Sequence, residues 1–406
     1  MNRRPYSLIF AGLLLAGCQS FALPENRMSE PVAMPPRLQA IFAKTKSVCF
    51  GRYVMEVPAE ADMRWGWQEF PSKIVPHIEG AGQLKAMAEA YRSRIITANR
   101  TAEITYFGPG PTSTSLQVRS FENLNAKVYG DEDAYTFVTA GPHLYEWSGA
   151  RTISKLVLQL RSRDNSEVPT APGVCIDHGF VADASGDFQE IFGAGIRLPS
   201  IPDVSFSVDS NKKASVDGTN GAGLLASINR QKKYLGSRYP KLTTLREGKR
   251  TVGVWHGEES LVRRKDGTHD FQWEAVGMER STLHPARIGA KMYTKVAANR
   301  IGAADRASLT DDEAIALWDR LLDAVRFRVN APPTQTSAPV TVRSGEITPL
   351  TGLWRASLPP GHAHAAWVAN NSGVLRQKGQ PMVSFGLPSP ADEALIVWSW
   401  MGEIDR

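Results

Sequence analysis

The chain has 406 residues, of which 42% are apolar and 22% charged, and its formal net charge is +6. That length and apolar content allow two or three globular domains at about 100–200 residues each. The charge balance is too mild to point to nucleic acid. Basic runs such as Arg230-Gln231-Lys232-Lys233 and Arg263-Arg264-Lys265 therefore read as solvated faces.

Residues 1–17 have the layout of an export signal: Arg3 and Arg4 lead into the apolar run 8–16. The run is too short to cross a bilayer as a helix, which needs about 20 apolar residues. It ends in Leu15-Ala16-Gly17-Cys18, which resembles a bacterial lipobox, where small residues precede a cysteine that is acylated and becomes the mature N-terminus. Two or more acyl chains anchor stably where one binds marginally. Cys18 is thus the expected lipidation site. Residues 18–45, with Pro24, Pro31, Pro35 and Pro36, read as an extended tether. Gln19 is not the aspartate that resemblance to enterobacterial lipoproteins requires for inner-membrane retention. The expected address is the periplasm, on the inner leaflet of the outer membrane.

Export changes how the remaining cysteines read. With Cys18 acylated, Cys49 and Cys175 remain in an oxidising space, where an even pair favours a disulfide over two free thiols. Zinc is the weaker reading, because neither cysteine has C-x-x-C or histidine spacing. His178, three residues after Cys175, leaves a tetrahedral shell unfilled.

The first folded segment spans 46–208. Strand-like runs lie at 50–57, 101–107, 115–121, 134–138, 144–148 and 156–161, many alternating apolar and polar residues as half-buried antiparallel strands do. Its clearest helix is 82–98, with Leu84, Met87, Ala88, Tyr91 and Ile95 on one stripe. Residues 209–223, rich in Gly, Asn and Ser, mark a boundary, and a second segment runs over 209–329. It pairs a helix near 224–235 with strands near 251–258, 260–264, 270–279 and 286–294. A closing helix follows, in which Thr310 and Glu313 fit a capping box and Ala314, Trp318, Leu321, Leu322 and Val325 form the apolar stripe. Residues 330–340 read as a linker. Residues 341–406 form a small module with Trp354, Trp367, Trp398 and Trp400, expected to pack a core. The fold class expected is α+β, two antiparallel-sheet-plus-helix domains with a Trp-rich C-terminal module.

Signatures of chemistry are scarce. The sequence contains no G-x-S-x-G, H-E-x-x-H or P-loop motif. Gly221-Ala222-Gly223-Leu224-Leu225-Ala226 matches a loose dinucleotide fingerprint but follows a polar loop, not a strand. Asp131-Glu132-Asp133 lacks the surroundings of a calcium loop and reads as a loop end. His362 and His364 have no clear further ligands. No catalytic residue, cofactor or metal ligand is assigned, and the weight shifts toward a binding protein.

Three stretches resemble a known family, the immunity proteins for antibacterial lipase effectors of the type VI secretion system. They are "VCFGRYVMEVPAEADM" at 48–63, "GVCIDHGFVAD" at 173–183 and "DEAIALWDRLLDAVRFR" at 312–328. The resemblance covers about residues 46–330 and leaves the C-terminal module outside. It implies two α+β domains arranged as a claw around a secreted phospholipase in the periplasm, and a protein that is itself not an enzyme. Its partners would be a cognate lipase and, through Cys18, the membrane. It assigns no interface residue. The competing expectation, from the tether and the tryptophan-rich module, is a periplasmic lipoprotein that binds a small ligand or envelope component.

Overall fold

The computed structural model describes residues 32–149, 151–213, 223–277, 281–294, 307–329, 340–359, 361–365, 367–368 and 373–402. The export signal, Cys18 and the first part of the expected tether lie outside these residues, as do 214–222 and the linker residues 330–339; the described end of that tether is not extended, because Pro36–Ile41 is a helix that buries Leu38 in the main core. The architecture is α+β, with antiparallel sheets and few helices.

The largest sheet has seven strands in the order Leu242–Val252, Trp255–Arg264, His269–Val276, Arg287–Tyr293, Ser205–Asn211, Ile191–Arg197 and Asp62–Glu69. It draws strands from both halves expected from the sequence. The boundary expected at 208/209 falls inside Ser205–Asn211, whose register with Arg287–Tyr293 is continuous from end to end. A five-stranded sheet, ordered Ile74–His77, His143–Ser148, Asp133–Ala140, Ser115–Phe121 and Glu103–Pro109, belongs wholly to the first half. Helix Leu84–Ala98 packs on it, sinking Ala88, Tyr91 and Ile95 against Val118, Phe137 and Leu144. Those three residues recur at helical spacing, which is why the helix was readable in the sequence.

Three expected strands are corrected. The run 50–57 is a hairpin, Thr45–Phe50 paired with Tyr53–Pro58, because the chain reverses at Gly51 with φ +50°. The run 156–161 is the end of helix Arg151–Val157 followed by the short strand Leu160–Ser162. Ile153, Leu156 and Val157, all buried, have i, i+3, i+4 spacing, and that period overrides their β-branched content. The strand expected at 251–258 likewise breaks at Gly253 (φ +56°), where Leu242–Val252 turns into Trp255–Arg264.

Helix Asp311–Asp323 closes the main core. Thr310 and Glu313 form the capping box, each accepting from the other's backbone N–H. Ala314, Trp318, Leu321, Leu322 and Val325 are all buried. Full burial of such side chains contributes about 1.5–3 kcal/mol each relative to exposure. The C-terminal module has its own four-stranded sheet and its own core, in which Trp354 and Trp398 are buried. Trp367 is half exposed and meets Phe385 edge-on at 5.1 Å.

Candidate functional site

The three sequence stretches that carry the family resemblance, far apart in the chain, meet at one joint. Cys49 and Cys175 are disulfide-bonded, with Cα atoms 5.9 Å apart across 126 residues of chain. Beside them, Gly51 and Cys175 exchange backbone hydrogen bonds at 2.8 and 2.7 Å. Gly51 has two reasons to be glycine: its positive φ, and a Cβ that would come within 2.6 Å of the Phe192 ring. Arg52 then enters the interior. Its Nε donates to both oxygens of Glu190 at 2.8 and 3.0 Å, and its terminal nitrogens reach the carboxylate and the carbonyl of Asp183. Lys212 joins the same cluster through Glu190 at 3.1 Å and Thr282 Oγ1 at 2.8 Å. The end of the third stretch completes the joint. Arg328 N–H donates to the Arg52 carbonyl at 2.9 Å, and its guanidinium donates to the Gly173 carbonyl at 2.8 Å.

The electrostatics follow from burial and pairing. Burial opposes the charge on Arg52, yet Glu190 and Asp183 more than offset it and hold the guanidinium charged. Burial likewise opposes ionisation of Asp183, but hydrogen bonds from Ser185 and the charge of Arg52 keep its carboxyl below the ordinary range. For Lys212 burial wins, and its pKa is lowered despite Glu190. Arg328 is pushed down to about 10, first by burial and then by Arg52, Arg163 and Arg161. Every charge here faces backbone or an opposite charge, as buried ions require. The joint holds three chain segments together.

Other residues singled out in the sequence are placed as follows. Among the described residues no group of three or more His, Cys, Asp or Glu is arranged to hold a metal ion. His178 sits in the hairpin turn of 173–182 beside His143, with ring centroids 4.8 Å apart. Gly223 lies against the Glu258 carboxylate, which accepts from the Leu225 N–H at 2.9 Å. An anion already occupies that helix N-terminus, so a pyrophosphate would be repelled. Asp131 and Glu132 precede strand Asp133–Ala140, which Asp133 opens. Burial, Glu122 and Asp131 together raise the Asp133 pKa. Nearby, Leu124, Val128 and Tyr129 on helix Leu124–Tyr129 are exposed.

A concave feature lies under helix Leu224–Leu235. A groove of about 790 Å³ separates it from the wide sheet. The helix contributes Leu224, Ser227, Ile228, Gln231, Lys232 and Leu235 to the groove. Leu224, Ile228 and Leu235 are the stripe that would seal a helix to a sheet, and Gln231 interrupts it. The sheet opposite is polar, presenting Ser260, Arg264, Asp270, Gln272 and Lys291 around Val262. A polar face and a broken stripe leave room for this groove where helix and sheet meet.

Sequence comparison matches residues 167–330 to the family described as the Tle cognate immunity protein 4 C-terminal domain. No match to a curated protein sequence was found. Solved structures share the fold over nearly their whole length. The immunity protein TplEi of the type VI secretion system of Pseudomonas aeruginosa, complexed with an "L" peptide, is 26% identical with a TM-score of 0.56; the match covers 70% of this chain and 99% of that one. Apo TplEi is also 26% identical, with a TM-score of 0.56 and coverage of 72% and 98%. A chain of the crystal structure of the Tle4–Tli4 complex is 25% identical, with a TM-score of 0.57 and coverage of 70% and 97%.

Proposed function

We infer that this chain is a type VI secretion immunity protein of the Tle cognate immunity protein 4 kind, which binds and inhibits a lipase effector of the Tle4 kind. One observation carries this reading. The stretches Cys49–Arg52, 173–183 and the end of the closing helix build one joint, and the family match at 167–330 takes in the second and third of them. The agreement with two solved immunity proteins along 97–99% of their length supports it. An inhibitor of this sort works by covering surface, on the order of 1,600 Å² or more, and not by turnover. Its action is therefore stoichiometric. The tether reading places it at the membrane: acylated at Cys18 on the periplasmic side, it meets the effector before phospholipid is reached, and tethering raises its effective concentration there.

The test uses the full chain without its signal and a lipase effector of the Tle4 kind. Titration should abolish phospholipid hydrolysis with an end point at equal molar amounts and a stable complex on gel filtration. Unchanged hydrolysis at several-fold excess, with no complex, overturns the reading. For the tether, Cys18→Ser should remove palmitate labelling and release the protein from the membrane fraction; labelling that persists would exclude it.

A further inference from the structure

We propose that the groove beneath helix Leu224–Leu235 receives an acidic, partly apolar segment of the effector, so that this helix and the adjoining strand form part of the inhibitory surface. The proposal rests on the function inferred above and adds the place and the chemistry of contact.

Charge is the first ground. From 224 to 246 the chain contains no aspartate or glutamate. In that span Arg230, Lys232, Lys233, Arg238 and Lys241 are all exposed. None forms an ion pair with a carboxylate among the described residues; Lys232 rests 6.0 Å over the Tyr239 ring. Elsewhere the protein pairs its cations closely, as Arg52, Arg246, Arg250 and Arg263 show. The two carboxylates in the groove are occupied: Asp270 pairs with Arg264, and Glu247 accepts from Ser260 at 3.3 Å. Four cations, Lys232, Lys241, Arg264 and Lys291, line the groove against these two carboxylates.

Shape is the second ground. The groove floor offers Leu224, Ile228, Leu235, Leu242 and Val262, enough for one or two apolar side chains, between walls that carry Lys232 and Lys241. Tyr234 stands 82% exposed at the crest of the helix, beside Lys232 and Lys233. Exposed aromatic and cationic side chains around a recess are the composition of binding hot spots. A carboxylate-bearing segment would replace water at the rim and the apolar floor would hold its intervening side chains. The helix is held at its N-terminal end by Glu258, so occupation of the groove needs no unfolding of the element.

The experiment compares the wild-type chain with Lys232→Glu/Lys241→Glu and with Gln231→Leu, which fills the groove without changing a cation. Affinity for the Tle4-kind lipase effector of the titration above is measured by calorimetry at two salt concentrations, and folding by circular dichroism and melting temperature. The charge reversal should weaken binding by at least about tenfold and flatten its salt dependence. Gln231→Leu should also weaken it, and neither variant should melt below the wild type. Carbodiimide crosslinking of the wild-type complex should join Lys232 or Lys241 to effector carboxylates. If the wild type does not bind the effector, the inferred function fails. If it binds and both variants bind equally well, only the groove fails. Vesicles of phosphatidylglycerol provide the remaining arm: binding to them that the reversal abolishes, with effector affinity unchanged, overturns the proposal in favour of a membrane contact.

Discussion

Two helices lie on opposite faces of the same seven-stranded sheet, and their seats differ. Side chains alternate across a strand, so successive residues serve opposite faces. Leu261, Phe271 and Trp273 are buried on the face that takes the closing helix, where Phe271 meets Trp318 edge-on at 6.0 Å. Val262, Asp270 and Gln272 serve the other face, beneath Leu224–Leu235. The closing helix is fastened by charge as well. Glu259 and Asp319 are clamped between Arg246 and Arg250, and Trp318 donates to Glu259 at 3.2 Å. The first seat is apolar, paired and complementary; the second is polar, cationic and unfilled. The difference separates what stabilises the fold from what is left for a partner.

Four expectations sharpen or break that contrast. Trp318→Ala should cost about 3–5 kcal/mol in denaturant unfolding, since a fully buried tryptophan leaves a cavity. Leu235→Ala across the sheet should cost at most about 1 kcal/mol, being only partly buried. Equal costs would erase the distinction between the two seats. Asp319→Ala should destabilise by about 1–3 kcal/mol because it strips Arg246 and Arg250 of a shared partner. Gln231→Leu should gain about 0.5–1 kcal/mol by completing the apolar stripe, the reverse sign from most substitutions; a loss would show that the glutamine holds the helix in place.

Acidification gives the smallest effect. Burial opposes ionisation of Asp319, but Arg246 and Arg250 hold its carboxyl below its ordinary value of 3.8. A carboxyl depressed in the folded state contributes stability above its unfolded pKa and loses it as pH falls through the folded value. The urea midpoint should therefore drop below about pH 4, and the drop should be shallower in Asp319→Asn. Parallel profiles for the two proteins would remove Asp319 from the acid response.

Local features were legible. The capping box of Thr310 and Glu313, the stripes of helices Leu84–Ala98 and Asp311–Asp323, and the tryptophan core of the C-terminal module all read from neighbours a few residues apart. The pairing of Cys49 with Cys175 was the expectation from an even cysteine count under the export reading. Residues 50–57 and 156–161 misled because short apolar runs fit strand and helix alike, and because a glycine turn leaves no period of its own. The basic run at 230–233 was visible, but its lack of partners was not. That depended on which face of which strand ended up opposite it.

Sequence alone therefore determined the class of the elements, the cysteine pair and the residues whose pattern marks the family, because each rests on spacing along the chain. Tertiary structure decided that 48–63, 173–183 and 312–328 form one joint, that both halves share a sheet, and that a groove opens under Leu224–Leu235. Those outcomes depend on long-range register and on the meeting of two faces, and a polar face meeting an interrupted stripe has no signature in either segment read by itself.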